Sequence, residues 1–455
     1  MTDASATDIA PPGASLTYPP LRAATYSLAL LFTAYVLSFL DRQVLSLMVG
    51  PIREQFGITD FEFSLLQGAA FALLYTFAGL PLGRLADRRS RKFIVAASVA
   101  FWSVATCACG LARNFWQLFV ARMAVGSGEA GLAPSAYSII TDSFRPQHFG
   151  YAMATYKVAV NVGGGLALVI GGLLIDAFSR AAPLEIPLIG AIAPWQATLI
   201  CVGAPGLLLS VLLLTMTEPS RKGMASTGSG EIHLPVRTVA RFLWQRKRVY
   251  LSLFMGSSML AMAGYGSAAW YPEFLVRNYS MSKTEAGTSF GAILLSAGIL
   301  GVMLGPWIAN KFAARGHTDA YVRTIMYASM LATIPAVAAP LVGSKMLTLI
   351  ILWPAVLLGA AYLGVMAASF QPITPNQMRG QTTALYIFVT NIFGMAVGTS
   401  VLAAFTDFLY QDDGKLHYSI ATANAIFYPA AVGLFWYCLA GYRKSVAEAG
   451  RWNLN

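Results

Sequence analysis

Five ionisable residues stand inside long apolar runs, and they set the chemical question. Asp41 and Arg42 are adjacent in AYVLSFLDRQVLSLMVG, residues 34–50. Arg122 and Glu129 lie two helical turns apart in RMAVGSGEAGLAPSAYS, residues 122–138, and Lys157 sits in GYAMATYKVAVNVGG, residues 150–164. A charge at the centre of a membrane helix costs roughly 2.5–3.5 kcal/mol on insertion scales, so such residues mark substrate or ion pathways. Carboxylates beside arginines offer a switch: a proton on Asp41 or Glu129 frees a guanidinium, which then holds an anionic group bidentately. A rise of ~1.5 Å per residue puts Asp41 and Arg122 at similar depth. Asp41 is therefore expected to face Arg122 with Arg42 nearby, and Glu129, deeper by two turns, to meet Lys157 in a second layer. A static Asp41–Arg122 brace and a snorkelling Lys157 are the alternatives.

These side chains must be positioned by membrane helices. Of 455 residues, 56% are hydrophobic and 11% charged, against about 25% charged in soluble proteins; mean hydropathy is +0.60. A helix needs about 20 apolar residues to cross the hydrocarbon. Twelve segments qualify: 22–50, 62–84, 92–111, 115–140, 148–174, 195–216, 248–275, 285–312, 321–342, 346–370, 380–406 and 417–441. The predicted class is an all-α integral membrane protein of two pseudo-symmetric six-helix bundles, 22–216 and 248–441, joined by a cytoplasmic linker, 217–247. Residues 1–21 read as a disordered cytoplasmic tail, not a signal peptide, and 442–455 as a second tail.

With the N-terminus inside, inner segments carry 21 Lys and Arg, outer loops seven and spans three. This bias predicts both termini in the cytoplasm and a place in the cell (inner) membrane. It also gives the net charge of +11 an ordinary home, without nucleic acid. Within the linker, LPVRTVARFLWQRKR alternates basic and apolar residues. It reads either as a helix lying on the inner membrane surface or as a solvated loop.

A repeat supports the two bundles. Gly150/Gly380, Ala154/Ala384, Tyr156/Tyr386, Asn161/Asn391 and Gly164/Gly394 are each 230 residues apart. Parallel six-helix halves around a midplane site are a transporter plan. Other classes find little support. The four Cys fall in apolar runs and the four His are not paired at ligand spacing, so no disulfide, metal or cofactor is expected. There is no phosphate-binding loop for ATP-driven pumping, and no paired nucleophile and base, so no enzyme is expected.

GRLADRRSRK, residues 83–92, resembles the signature loop of the major facilitator superfamily, with Ser90 where that family usually has Gly. The resemblance implies a conformational lock of Gly83, Asp87, Arg88 and Arg91. GPWIANKFAAR, residues 305–315, is similar to a decayed second copy. RMAVGSGEAG resembles the fourth-helix motif, and NVGGGLALVIGG the Gly-rich fifth-helix motif without its Gly-Pro pair. With FLDRQ and TPNQMRGQTTALY, residues 374–386, these patches resemble the Spinster branch. That resemblance implies a transporter of a lysophospholipid or sphingosine-1-phosphate-like anion; the buried carboxylates beside arginines add the expectation of proton coupling, and a monomer surrounded by membrane lipids is expected. A small organic anion is the second reading, and a non-transporting receptor or scaffold the third. Asp41 and Glu129 would carry protons; Arg42, Arg122 and Lys157 would form the charge network. Tyr75, Tyr265, Tyr362 and Phe370, with Phe71 and Phe388, are candidate cavity residues. Gly264 and Gly266 would loosen the helix around Tyr265.

Overall fold

Apolar runs leave the backbone no water to bond, so each segment closes its hydrogen bonds within a helix. The computed structural model describes residues 18–181, 184–186, 190–221 and 235–449, without the side chains of Leu80, Asp87, residues 184–186, Val236 and Asn376. Most of the expected N-terminal tail lies outside this set. In the first half, α1 is Leu21–Leu47, α3 Asp60–Ala86, α4 Arg91–Cys109, α7 Pro146–Arg180 and α8 Pro194–Leu213. A short α2, Val49–Phe56, follows α1. The fourth crossing is broken into α5, Phe115–Glu129, and α6, Leu132–Ser143. Strands β1, Leu184–Ile186, and β2, Gly190–Ile192, form a small antiparallel pair before α8.

The linker contains α9, Val236–Gln245. The second half comprises α10, Lys247–Tyr279, then α11 Lys283–Ala314, α12 Ala320–Leu341, α13 Lys345–Ile373, α14 Arg379–Tyr410 and α15 Asp413–Ala449. Ten of these helices are long and apolar enough to cross a membrane. The broken α5–α6 and α10, diluted by Ser, Gly and Tyr, complete twelve crossings. Pro372 lies in the last turn of α13, and Pro375 in the break that follows, where a missing N–H and a fixed φ stop a helix. The last helix continues to Ala449 rather than ending at 441, because Tyr442, Ser445 and Ala449 remain buried on one of its faces.

Twelve crossings return both described ends to one face, called the terminal face below; the opposite one is the far face. The halves meet along α3/α14 and α7/α11. Gly68 presses on the backbone of Met395, Gly287 on that of Leu168, and Gly172 on that of Thr284, where a Cβ would overlap its neighbour. Four π-turns, Leu65–Ala69, Leu294–Gly298, Ile392–Gly398 and Phe405–Tyr410, sit on these same helices. Such turns loosen the regular ladder and gather at functional sites. Nearer the terminal face, a Cβ at Gly298 of α11 would press on Asn161 of α7.

All described hydrogen bonds and ion pairs between the halves lie on the far-face side. Arg277 Nη1 and Nη2 donate to Asp60 at 2.7 and 2.8 Å. Arg53 reaches Asp413 at 2.8 Å and, within its own half, Asp60 at 3.0 Å. The Phe61 amide donates to Asp407 at 2.7 Å, Thr284 to Asp176 at 2.6 Å, and Gln43 to the Ala268 carbonyl at 2.6 Å. The structure is sealed at the far face.

Candidate functional site

The break at Ala130–Gly131 places Glu129 at the C-terminus of α5. Helix C-termini carry partial negative charge, so an anion there needs a cation. Arg42 supplies it: Nε donates to Glu129 Oε2 at 2.7 Å, and Nη2 closes on the same oxygen. Ser38, one turn before Arg42 on α1, donates to that oxygen too. The Arg42 guanidinium lies 4.4 Å from the Phe71 ring centroid and 4.8 Å from those of Phe39 and Tyr75. Gly126 makes room, since a Cβ there would press on the Phe71 backbone.

Asp41 points elsewhere. It accepts from Thr106 of α4 at 3.1 Å. Arg122 Nη1 donates at 3.3 Å to the Asp41 main-chain carbonyl. The expected pairing is therefore exchanged: the described ion pair joins Arg42 to Glu129, and Asp41 and Arg122 meet through the backbone. Adjacent residues point about 100° apart on a helix, so only one of Asp41 and Arg42 can face α5 at this level. Asp41 Oδ1, Glu129 Oε1 and Arg122 Nε are buried without a described partner. The site thus holds polar capacity beyond its internal bonds.

The second layer proposed around Lys157 does not form. Lys157 is exposed, while its neighbour Tyr156 turns inward, stacking on Tyr35 at 4.6 Å and meeting Tyr137 edge-on at 5.6 Å. Tyr156 takes the buried face of α7, and Lys157 is carried off it.

In the second half the buried side chains facing this level are aromatic. Phe370 lies 5.7 Å from Phe254 and 5.1 Å from Tyr386. Tyr362 is buried. Tyr265 is partly buried and packs against the core. Phe388 packs on Phe77 at 6.0 Å. Gly264 has open space, but Gly266 lies against the Gly398 carbonyl, so it tightens α10 onto α14 instead of loosening it. Ser38, Phe39, Thr106, Tyr35 and Tyr156 escaped the sequence reading. The spacing 35, 38, 39, 42 is one helical face of α1, and with Arg42 already singled out it could have exposed three of these five.

At the terminal face Arg91 is buried and ties α4 to α6 and to the chain after α8. It pairs with Asp142, donates to Ser138 at 2.8 Å and to the Pro219 carbonyl at 2.6 Å, and its amide donates to Glu218 at 2.8 Å. Arg88 is exposed. The Asp87 side chain lies outside the described residues. Gly83 is not a forced close approach, since a Cβ would sit at 4.0 Å from Pro134, an ordinary contact. In the second half, Lys311 covers the Trp307 ring at 3.5 Å. There the acid is Asp319, which accepts from Arg323 at 3.2 Å and Arg443 at 2.7 Å.

Burial pushes the Glu218 carboxyl up, but hydrogen bonds from Ser90 and from the Arg91 amide and guanidinium outweigh it, and the net direction is below the ordinary 4.5. A depressed folded-state value adds stability above the unfolded value and loses it as pH falls through the folded one. Thermal midpoints of the purified protein should therefore drop as pH falls below about 4.5. Glu218→Gln should start lower at neutral pH and show a smaller acid drop; equal acid drops in both chains would refute this.

Two six-helix halves joined at one face, with a buried ion pair inside the first, are the architecture of a membrane transporter. The chain belongs to the Major Facilitator Superfamily, whose family model matches residues 31–399. Within it the chain is Spinster-like. A bacterial homologue of the human lysosomal transporter Spinster, crystallised in an inward-facing and unoccupied conformation, superposes with TM-score 0.76 at 26% identity, covering 94% of this chain and 98% of that one. An MFS-type efflux pump of Mycolicibacterium smegmatis is 26% identical over 91% of this chain and 92% of its own length. The sphingosine-1-phosphate transporter SPNS2 of Danio rerio is 25% identical over 59% of this chain and 53% of its own. A probable L-galactonate transporter of Escherichia coli is 24% identical over 65% and 63%. The chain thus matches only part of the last two relatives.

Proposed function

We propose that this protein is a proton-coupled transporter of an amphipathic anion of the lysophospholipid or sphingosine-1-phosphate kind, working by alternating access. The observation that carries this reading is the buried Arg42–Glu129 pair beside Asp41 and Arg122, with three polar atoms left unpartnered. A proton on Glu129 removes the charge that holds Arg42. The freed guanidinium, with Arg122, then takes a phosphate-like headgroup through paired N–H bonds. Proton and substrate compete for the same charges, which couples their movements. The aromatic wall of Tyr265, Tyr362, Phe370 and Tyr386 suits an acyl chain and favours this substrate over a small organic acid. The similarity to SPNS2 supports the same choice. With the termini in the cytoplasm of the cell, as the basic loops favour, the terminal face is inner and the structure is inward-facing. The Arg91 network is the lock of the first half.

The test is transport in liposomes under an imposed pH gradient, following lysophospholipid in the wild type, Asp41→Asn and Glu129→Gln. The wild type should respond to the gradient and each variant should lose that response. Gradient-insensitive movement in all three removes the proton switch. Movement of small carboxylates alone transfers the assignment to the second reading, for which the galactonate relative is the support.

A further inference from the structure

Helix α9 segregates its residues by face. Val239 and Leu243 are buried, and Phe242 meets Tyr250 of α10 at 6.0 Å. Arg246 also folds inward, 4.3 Å from the Phe242 ring and 3.6 Å from Glu448. The other basic side chains of the segment turn out: Arg237, Arg241 and Lys247 are exposed, while Arg248 lies on the Tyr437 ring of α15 at 4.4 Å. Trp244 lies among them at 70% exposure, with Lys247 Nζ 5.2 Å from its ring. Positions 237, 241 and 244 share one helical face, and Lys247 continues the patch onto the start of α10.

An indole left outside the core, ringed by cations of one sign, suits a membrane interface better than water or a protein groove. The ring lies at headgroup level, and the cations meet phosphates. Position agrees, because α9 ends immediately before α10, one of the twelve crossings. Beneath α9, the Tyr250 hydroxyl donates to the Ile373 carbonyl at 2.8 Å and meets Thr374 at 2.9 Å. Arg379 bonds the carbonyls of Thr374 and Gln371 at 3.1 and 2.8 Å. The helix therefore rests on the joint between α13 and α14.

We propose that the outward face of α9 is a docking surface for the anionic phospholipid headgroups of the leaflet on the terminal side. It anchors the α13–α14 joint of the second half to that leaflet. Uncharged and zwitterionic lipids lack the matching charge and are held more weakly.

The experiment uses the full chain in phosphatidylcholine vesicles containing phosphatidylglycerol, with bromine carried on the acyl chains of one lipid or the other. Trp244 quenching is the difference between the wild type and Trp244→Phe. Brominated phosphatidylglycerol should quench Trp244 more than brominated phosphatidylcholine at equal mole fraction, and added salt should reduce the preference. Arg237→Gln/Arg241→Gln removes two exposed cations and should weaken the phosphatidylglycerol preference roughly thirtyfold. Equal quenching by the two lipids overturns the proposal. So does an unquenched Trp244, which would place that face against water or a protein, and so does a preference that the double variant retains.

Discussion

Replacing Arg42 with glutamine is expected to stop transport, and adding Glu129→Gln to the same chain is expected to restore stability but not transport. The single change strands a fully buried carboxylate at the C-terminal end of α5. Breaking one partner of a buried pair costs roughly 3–5 kcal/mol, or two to nearly four orders of magnitude in the equilibrium it controls. Removing both partners leaves no unpaired charge, and neutralised buried pairs are often tolerated. A brace and a switch therefore part company in the double variant. If the pair only positions α1 against α5, Arg42→Gln/Glu129→Gln should recover both its thermal midpoint and its uptake of lysophospholipid. If Arg42 is released to hold the headgroup, the midpoint recovers and uptake stays near the liposome background. Uptake close to that of the wild type in the double variant would defeat the switch.

The crossings were legible because length and apolarity fix them. The expected start at 115 and the observed Phe115 coincide, and 321–342 became Ala320–Leu341. The break after Glu129 was written in GEAGLAP: Gly131 and Pro134 interrupt a continuous ladder, and only a continuous helix was expected there. The charge pairing was not legible from depth alone. A rise per residue gives the level of a side chain but not its azimuth, and Asp41 and Arg42 differ almost wholly in azimuth. Lys157 failed for the same reason, since Tyr156 at nearly the same level took the buried face. The basic loop pointed to Arg91 together with positions 83, 87 and 88, but not to its partners Asp142 and Glu218, which come from two other elements. Nothing local in the sequence ties Arg277 to Asp60, 217 residues away.

That long-range tie carries the second large effect: Asp60→Asn is expected to open the far face. Asp60 has no exposed side chain and binds Arg277 of the other half through both oxygens, while also holding Arg53. Asp407 and Asp413 bring their oxygens within 4.8 Å of its own, so the two arginines balance three carboxylates drawn from both halves. Asparagine keeps the volume and loses the charge. The loss of roughly 3–5 kcal/mol falls on the sealed state alone, because opening separates Asp60 from Arg277 anyway. Conformers of such proteins differ by only a few kcal/mol, so a minor far-open state should become the major one. Ser46→Cys reports this: Ser46 is buried on α1 below the latch, and its alkylation by a membrane-impermeant maleimide should rise at least tenfold when Asp60→Asn is added. Glu273→Gln is the control. Glu273 binds Arg277 from within the same helix, at 2.7 Å, so its loss weakens the arginine's setting without cutting the tie between halves. Equal labelling in Asp60→Asn and the parent would show that the helix contacts at Gly68, Gly172 and Gly287 hold the seal without the ion pair. Labelling raised as much by Glu273→Gln would show that the arginine's position, and not the bridge to Asp60, keeps the face closed.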